Sequence, residues 1–347
     1  MRGARAPPCC RPYNRTVTEP LSEFALIDRY FRRPPRAPGV VLGPGDDAAL
    51  IAPAPGMELA ISVDMLVEGR HFFVGAEPEA LGHKALAVNL SDLAAMGAVP
   101  RYALLAGALP DADPAWLEAF SRGLFALADA HGVDLIGGDT TRGPRNLCIT
   151  VIGEVPAGQA IRRRGALAGD DVWVSGALSD AALALAALGG RTTLDPAALV
   201  ACRARLDRPL PRIALGIALR GLATAMLDVS DGLTGDLGHL LDAGEVGARI
   251  DLARIPASPA LASLRDGPER ALAQECLLAG GDDYELLFTA RNVDRERVAA
   301  AGTAAGVPVT RIGKITAETG LVVRDAAGAP LPSLPHAFDH FAAVAAG

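Results

Sequence analysis

The sequence predicts an α/β (α+β) protein of two domains, and three observations lead there. The chain has 347 residues, more than the ~250–300 at which a single core stops growing. Apolar runs of strand length alternate with runs at helical spacing along most of it. Acidic residues recur where those runs end. Half of the residues are apolar but only 4% are aromatic, so aliphatic packing supplies most of the core.

The first twenty residues hold Arg2, Arg5, Arg11 and Arg15, no acid before Glu19 and no apolar stretch of the secretory type. A disordered tail without function is expected at 1–20. Leu21, Phe24, Ile27 and Phe31 recur at helical spacing, so 21–32 reads as an amphipathic helix, which Pro34, Pro35 and Pro38 end. Val40-Val41-Leu42 is a short strand running into Gly43-Pro44-Gly45-Asp46-Asp47-Ala48. That loop formally matches a dinucleotide fingerprint. Pro53 and Pro55 leave no room for the long helix the fingerprint needs, and two acids stand where a pyrophosphate expects bare N–H groups. Paired acids on a glycine loop suit a cation instead.

Leu59–Val63 is a strand with Asp64 at its end, and Glu68, Gly69, Arg70, His71 and Phe72 follow in a loop. A lone loop histidine is more often a packing residue than a functional one. Residues 82–96 form a helix that is apolar nearly all round from Lys84 to Met96, hence buried. Asn89 and Asp92, three apart, share one of its faces. A buried carboxylate is costly unless it is paired or metal-bound. A hydrogen-bonded pair and a metal site are both open readings, the second somewhat favoured. Gly97 suits the C-cap.

Tyr102–Leu109 is a strand. Pro114 opens a helix whose Trp116, Phe120, Leu124 and Leu127 make a core stripe, and His131-Gly132 closes it. Val133–Ile136 reads as a buried strand cut off by Gly137-Gly138, with Asp139-Thr140-Thr141-Arg142-Gly143 on a tight turn. Such a turn lets a ligand approach the backbone closely. Asp139 can hold a cation there, while Arg142 either pairs with an anion or closes a surface turn. Leu147–Val155 is an alternating strand. These elements make a first α/β domain over 21–156.

Residues 156–171 read as a linker and lead-in, and a second α/β domain spans 160–345. Its expected elements are a strand at 171–175, an Ala/Leu helix at 176–190 and a helix after Pro209-Leu210-Pro211 ending near Gly221. The strand 223–227 then runs into Asp228-Val229-Ser230-Asp231-Gly232. Ser230 or Asp231 fits a helix N-cap; Asp228 stands before the cap. A strand at 249–252 and a helix over 259–278 lead to Gly280-Gly281-Asp282-Asp283-Tyr284-Glu285. The strand 286–289, a helix at 294–305, strands at 307–315 and 320–324, and a tail with Phe338-Asp339-His340-Phe341 complete the chain.

Charge and composition exclude several classes. The 33 basic and 40 acidic residues give a net charge of −7, and Arg162-Arg163-Arg164 is too short for a nucleic-acid patch. Cys9, Cys10, Cys148, Cys202 and Cys276 are odd in number and scattered. They fit a reducing compartment, so a cytoplasmic location is expected, and they argue against a disulfide framework or a zinc site. No apolar run is long enough to span a bilayer. No Ser/His/Asp or Cys/His arrangement is legible, which leaves acyl transfer unsupported.

Asp46, Asp47, Asp64, Asp92, Asp139, Asp228 and Asp231 repel one another. Several Mg²⁺ ions offset this, each taking one or two carboxylates and leaving positions for phosphate oxygens and water. Calcium would show an EF-hand spacing, which is absent. Nucleotide phosphates are the usual partners of such clusters, yet there is neither a P-loop nor a kinase-type catalytic loop; Gly313-Lys314 lacks the first glycine and the hydroxyl. Phosphoryl transfer needs positioning and charge neutralisation. A phosphate acceptor, with a second pKa of ~6, needs no general base at pH 7.

Taken together, Gly45-Asp46-Asp47-Ala48, Ser62-Val63-Asp64-Met65-Leu66-Val67-Glu68-Gly69, His71-Phe72 and the run from Lys84 to Gly97 resemble the bacterial thiamine-monophosphate kinases. So do Gly137–Gly143, Asp228–Leu233 and Gly280–Leu286, in order, over about 22–345. The resemblance implies a fold like that of aminoimidazole ribonucleotide synthetase, with N-terminal sheets pairing in a homodimer. It implies transfer from ATP to thiamine monophosphate, giving thiamine diphosphate. It implies Mg²⁺ on Asp47, Asp64, Asp92, Asp139 and Asp228, with Ser62 and the Val63 carbonyl nearby and a further ion on Asp231. Asp92 and Asp139 are the metal ligands expected to be essential. Gly138, Asp139, Arg163 and Ser230 would contact ATP, and His71, Asp282 and Phe338 the thiamine phosphate. Val63 stands where the family often has Thr, Asp282 where it often has Glu, and Phe338 without a hydroxyl. No nucleic acid or membrane is expected as partner. Selenophosphate synthetase or aminoimidazole ribonucleotide synthetase chemistry is the nearest rival, and a non-catalytic nucleotide sensor the next.

Overall fold

The computed structural model describes residues 22–37 and 39–338. The arginine-rich start and Asp339, His340 and Phe341 lie outside these residues. The N-terminal half begins with α1 (Glu23–Tyr30) and a small antiparallel pair, β1 (Val40–Leu42) and β2 (Leu50–Ile51). Then come β3 (Met57–Val67), α2 (Pro78–Ala95), β4 (Val99–Leu109), α3 (Pro114–His131), β5 (Asp134–Arg142) and β6 (Asn146–Pro156). The last four strands form one sheet in the order β3-β6-β4-β5, in which only β4 and β5 run parallel.

The C-terminal half comprises β7 (Asp171–Ser175), α4 (Asp180–Leu188), α5 (Pro196–Asp207), α6 (Ile213–Ala218), β8 (Ala223–Asp228), α7 (Leu233–Gly244) and β9 (Gly247–Asp251). It continues with α8 (Pro259–Leu264), α9 (Arg270–Ala279), β10 (Leu286–Ala290), α10 (Arg295–Ala304), β11 (Val309–Thr316) and β12 (Gly320–Arg324). Its six strands lie in the order β12-β9-β11-β7-β10-β8. No helix among the described residues is long and apolar enough to cross a membrane.

Three sequence expectations change. The glycines at 137 and 138 do not end a strand; β5 continues through them to Arg142, paired with β4 from Leu104–Gly137 to Leu109–Arg142. The register slips between Ala103 and Leu104, and a Cβ on Gly138, at φ +150°, would fall 1.9 Å from the Leu105 carbonyl oxygen. Glycine is therefore needed to keep this strand in contact, not to turn it. The helix expected over 259–278 is two helices, because Pro268 supplies no N–H and Gly267 is a weak helix former. Residues 196–207, given no element above, form α5. Its signal was present: Asp195 caps it, Pro196 stands at its first turn, and Leu199, Cys202 and Leu206 follow at helical spacing.

Helix α2 is the centre of the molecule. Most of its residues are buried, on all sides. One side lies under β3 and β6, another meets α3, and its C-terminal end meets α6 and β8 of the other half. Backbones approach so closely that side chains are excluded at the crossings. A Cβ on Gly123 of α3 would lie 1.8 Å from the Glu79 carbonyl oxygen, and one on Gly216 of α6 would lie 2.0 Å from that of Ala94. Both obstacles are helix backbone, which cannot move aside cheaply. Gly123→Ala is therefore expected to cost about 1–3 kcal/mol, the usual range for overpacking. Urea unfolding monitored by circular dichroism measures it, and a loss below a few tenths of a kcal/mol would mean that the α2–α3 contact is loose.

Candidate active site

Where α2 reaches the second sheet, the two halves enclose a cavity of about 1150 Å³. Ser62 and Asp64 alternate on β3 and so share the face that covers α2. Asp92 comes up from α2, Asp228 stands at the end of β8, and Ser230, Asp231, Gly281, Asp282, Arg163, His71 and Phe338 complete the lining. The Ser62 hydroxyl donates to Asp92 Oδ2 at 2.5 Å. Asn89 accepts the Asp64 backbone N–H at 2.9 Å and donates to the Ala85 carbonyl at 3.0 Å. The two readings of the Asn89/Asp92 pair thus divide. Asn89 is a structural bracket that ties β3 to α2, and Asp92 faces the cavity, its carboxylate hydrogen-bonded among the described residues by the Ser62 hydroxyl. The Val63 side chain, one residue out of phase, lies on the opposite face and is exposed, so only its backbone serves this side.

These carboxyls are electrostatically crowded. Burial, then the charges of Asp92 and Asp231, push Asp64 up to about 6. Burial, then Asp92, pushes Asp228 up to about 8. Burial raises Asp92 too, against the Ser62 hydrogen bond and the Arg163 charge. Like charges in a low-dielectric site disfavour ionisation of all of them. Carboxylates, a hydroxyl and a backbone carbonyl are hard oxygen donors, which fit Mg²⁺. Among the described residues, no three His, Cys, Asp or Glu side chains gather closely enough in one chain to hold a metal unaided.

The far wall is two loops zipped together beyond the β8–β10 ladder. Val229 donates to the Glu285 carbonyl and accepts from Tyr284 N, and Ser230 accepts from Asp282 N. A Cβ on Gly281 would strike the Ser230 carbonyl oxygen at 2.4 Å. Asp236 Oδ2 takes the backbone N–H groups of Ser230, Asp231 and Gly232 at 3.0–3.1 Å; burial pushes it up to about 7 against those donors. Asp282 and Tyr284 both have positive φ, +66° and +51°. Such strain persists only where the surroundings enforce it. Here the Asp282 carboxylate is held by the buried Lys84 ammonium at 3.3 Å and by the Tyr284 hydroxyl at 3.1 Å. Behind it, Glu285 is locked by Arg212 and by the Ser175 hydroxyl at 2.5 Å. His71 Nδ1 accepts the Val67 N–H at 3.0 Å, so in the neutral ring Nε2 carries the hydrogen. The Phe338 ring lies 5.0 Å from the Arg70 guanidinium.

The remaining predicted residues lie elsewhere. Asp47, Gly138 and Asp139, with Asp46, line a second cavity of about 780 Å³. Register explains the separation. Asp64 is level with Ile149, Leu105 and Gly138 across the sheet, whereas Asp139 is level with Ala106, Cys148 and Met65. Asp139 therefore sits on the opposite face, three strands away, or roughly 14 Å at ~4.8 Å per strand. One chain does not gather all seven acids at one point. Lys84, Asp236, Arg212 and Glu285 were missed as site-builders. The signal for Lys84 was a charge opening an otherwise apolar buried helix; for Asp236, an acid one turn into a helix after an acidic glycine loop.

Both halves match family models: AIR synthase related protein, N-terminal domain, over residues 45–155, and AIR synthase related protein, C-terminal domain, over 168–326. The class is thus that of the AIR synthase related proteins. The thiamine-monophosphate kinase of Escherichia coli K12 is 48% identical over 325 residues, 92% of this chain and 98% of that one. The crystal structure of thiamine-monophosphate kinase from Stenotrophomonas maltophilia has a TM-score of 0.77 at 47% identity, over 82% of this chain and 91% of that one. AaThiL complexed with AMPPCP and TMP has a TM-score of 0.73 at 30% identity, over 84% and 89%. The chain belongs to the thiamine-monophosphate kinase family.

The raised carboxyls set a pH dependence. Against an ordinary value of 3.8, Asp64, Asp236 and Asp228 stand at about 6, 7 and 8. The folded chain then keeps protons that the unfolded chain has released, so stability falls as pH rises from about 4 to 8. Without divalent cation, Tm is expected to drop across that window, and the gain on adding Mg²⁺ to be larger at pH 8 than at pH 6. A Mg²⁺ gain that does not change with pH would take these carboxyls out of cation binding.

Proposed function

We propose that this chain transfers the γ-phosphoryl group of ATP directly to thiamine monophosphate, giving ADP and thiamine diphosphate, the last step in making that cofactor. The observation that carries the reading is the inter-domain cavity, with crowded acids on one wall and a strained, pinned Asp282 on the other. Its support from relatives is the family membership and the AMPPCP and TMP, read as thiamine monophosphate, bound by AaThiL.

Several Mg²⁺ ions are the cofactor we infer, held by Asp64, Asp92, Asp228 and Asp231 with Ser62 and the Val63 carbonyl, and by Asp47 and Asp139 on the second cavity. When bound, they would supply positive charge that offsets the negative charge of the phosphates. The chain's own groups do the rest. Asn89 fixes the β3 backbone, and with it Asp64, over α2. Arg163 and Ser230 contact ATP together with Gly138 and Asp139. His71 Nε2–H, Asp282 and Phe338 receive the thiamine phosphate, Phe338 by stacking. No side chain needs to act as a base, because the acceptor oxygen is already largely ionised.

We further infer a homodimer joined through the N-terminal sheets, with 21–156 as the dimerising metal- and ATP-binding domain and 160–345 as the second. The support is the open edge β3, whose outer face exposes Ile61, Val63 and Met65 by 63, 57 and 51%. Exposed apolar edges are normally covered. The other open edge is β5. Pairing β3 of one protomer with β5 of the next would bring the partner's Asp139 from three strands to one strand from Asp64, still on the opposite face of the continued sheet.

Thiamine diphosphate formation from ATP, Mg²⁺ and thiamine monophosphate is the test, with free thiamine as control acceptor; product is expected from the monophosphate alone. Product from both would remove the argument for an ionised acceptor, and none from either would refute the activity. Asp92→Asn and Asp139→Asn are each expected to lower kcat by at least a hundredfold with the fold intact by circular dichroism. Ile61→Lys/Met65→Lys is expected to run as a monomer in size-exclusion chromatography and to lose turnover equally. A fully active monomer would sink the shared site.

A further inference from the structure

The outer face of the C-terminal sheet carries a cationic basin. Arg249 of β9, Arg311 and Lys314 of β11, Arg324 of β12 and Arg254 line a cavity of about 280 Å³. None of them lines either cavity described above. The register gathers them: Lys314 lies directly opposite Arg249, and Arg324 directly opposite Asp251. Directly opposed side chains share a face, and like charges so placed destabilise a sheet. The β11 strand is bulged between Arg311 and Gly313. Gly313 lines the basin through its backbone; a Cβ there would point at the buried Ile250 Cδ1, 2.6 Å away, and strike the Arg249 carbonyl oxygen at 2.2 Å.

The nearby acids are already engaged. Asp251 lies 3.3 Å from Arg254. Asp171, fully buried and directly opposite Lys314 on β7, accepts from Arg295 at 2.5 and 2.9 Å and from Arg311 at 3.4 Å. Among the described residues no ion pair engages Arg249, Lys314 or Arg324. The Arg324 Nε is buried from water and has no hydrogen-bond acceptor. In a chain of net charge −7, three cations without an ion-pair partner on one sheet face, one with an orphaned buried donor, make a site suited to an anion.

We propose that this basin is a binding site for a diphosphate group. Guanidinium forks match phosphate oxygens in pairs. A monophosphate brings at most about two negative charges to the three cations, and a diphosphate brings one more. The basin is small and open to solvent, so it takes the charged group and leaves whatever carries it outside. The group arrives either as inorganic pyrophosphate or on an organic diphosphate, and the product of the reaction proposed above is one such carrier.

Isothermal titration of the full chain in EDTA tests this, because without divalent cation the acid-lined cavity repels anions. Inorganic pyrophosphate, thiamine diphosphate and inorganic phosphate are titrated in turn. One pyrophosphate per chain is expected, at least tenfold tighter than phosphate. Arg249→Gln/Lys314→Gln is expected to weaken it at least tenfold, and Asp228→Asn to leave it unchanged. The double variant removes a like-charge contact from exposed positions, so its Tm should not fall; if it does, Lys314→Gln alone is read instead. Tighter binding of thiamine diphosphate than of pyrophosphate identifies the carried form as the ligand, and the reverse identifies the free ion. Equal binding of phosphate and pyrophosphate, no saturable heat, or wild-type affinity in the double variant would each overturn the proposal. None of these readouts depends on kinase activity.

Discussion

The structure is arranged around carboxylates that must be buried yet stay available. Asp64, Asp92 and Asp228 come from an edge strand, the central helix and a strand of the other half. They meet because α2 is buried on every side and both halves pack against it. Burial is what gives such acids their grip on a cation, since a carboxylate in water binds Mg²⁺ weakly and keeps its own hydration. The same burial drives them toward protonation when no cation is present. Everything that fixes α2 therefore fixes the spacing of the charges.

That explains the glycines better than flexibility does. Gly82, Gly123 and Gly216 lie where another helix backbone leaves no room for a Cβ. Helices so close are rigid against sliding, and a shift of one turn would carry Asp92 away from Ser62. The zipped loops on the opposite wall do the same work with hydrogen bonds. Three N–H groups on one Asp236 oxygen hold the Asp228–Gly232 loop, and Arg212–Glu285–Ser175 holds the other from behind. The strain at Asp282 and Tyr284 is supported by these neighbours, and it is stored on the wall of the cavity.

Much of this was legible in the sequence, for identifiable reasons. Long periodic segments such as α2 and α3 declare themselves through the spacing of Leu, Val and Phe, and the acidic glycine loops declare chemistry because no fold needs them. What was not legible depends on partners distant in the chain. The turn expected at Gly137–Gly143 is strand, since whether two glycines end a strand or let it pass close to a carbonyl is decided by β4, thirty residues away. Asp139 and Asp64 read as members of one cluster, because a sequence shows that acids stand at strand ends but not which face each end presents. One residue of register moves a side chain to the other side of the sheet.

That last point bears on why the N-terminal sheet has bare edges. Edge strands are normally blunted by charge, proline or cover. The β3 strand instead shows an apolar stripe on one face and the cavity-lining Ser62 and Asp64 on the other, within eleven residues. A chain that only needed Asp64 buried had no reason to leave Ile61, Val63 and Met65 in water. A chain whose two open edges close on another copy would have one. Closing β3 against the β5 of another copy would cover the stripe and satisfy both edges in a single contact. Folding and assembly would then be one requirement on the same eleven residues, so a stripe that looks like an aggregation hazard in the isolated chain would be the surface a second copy covers.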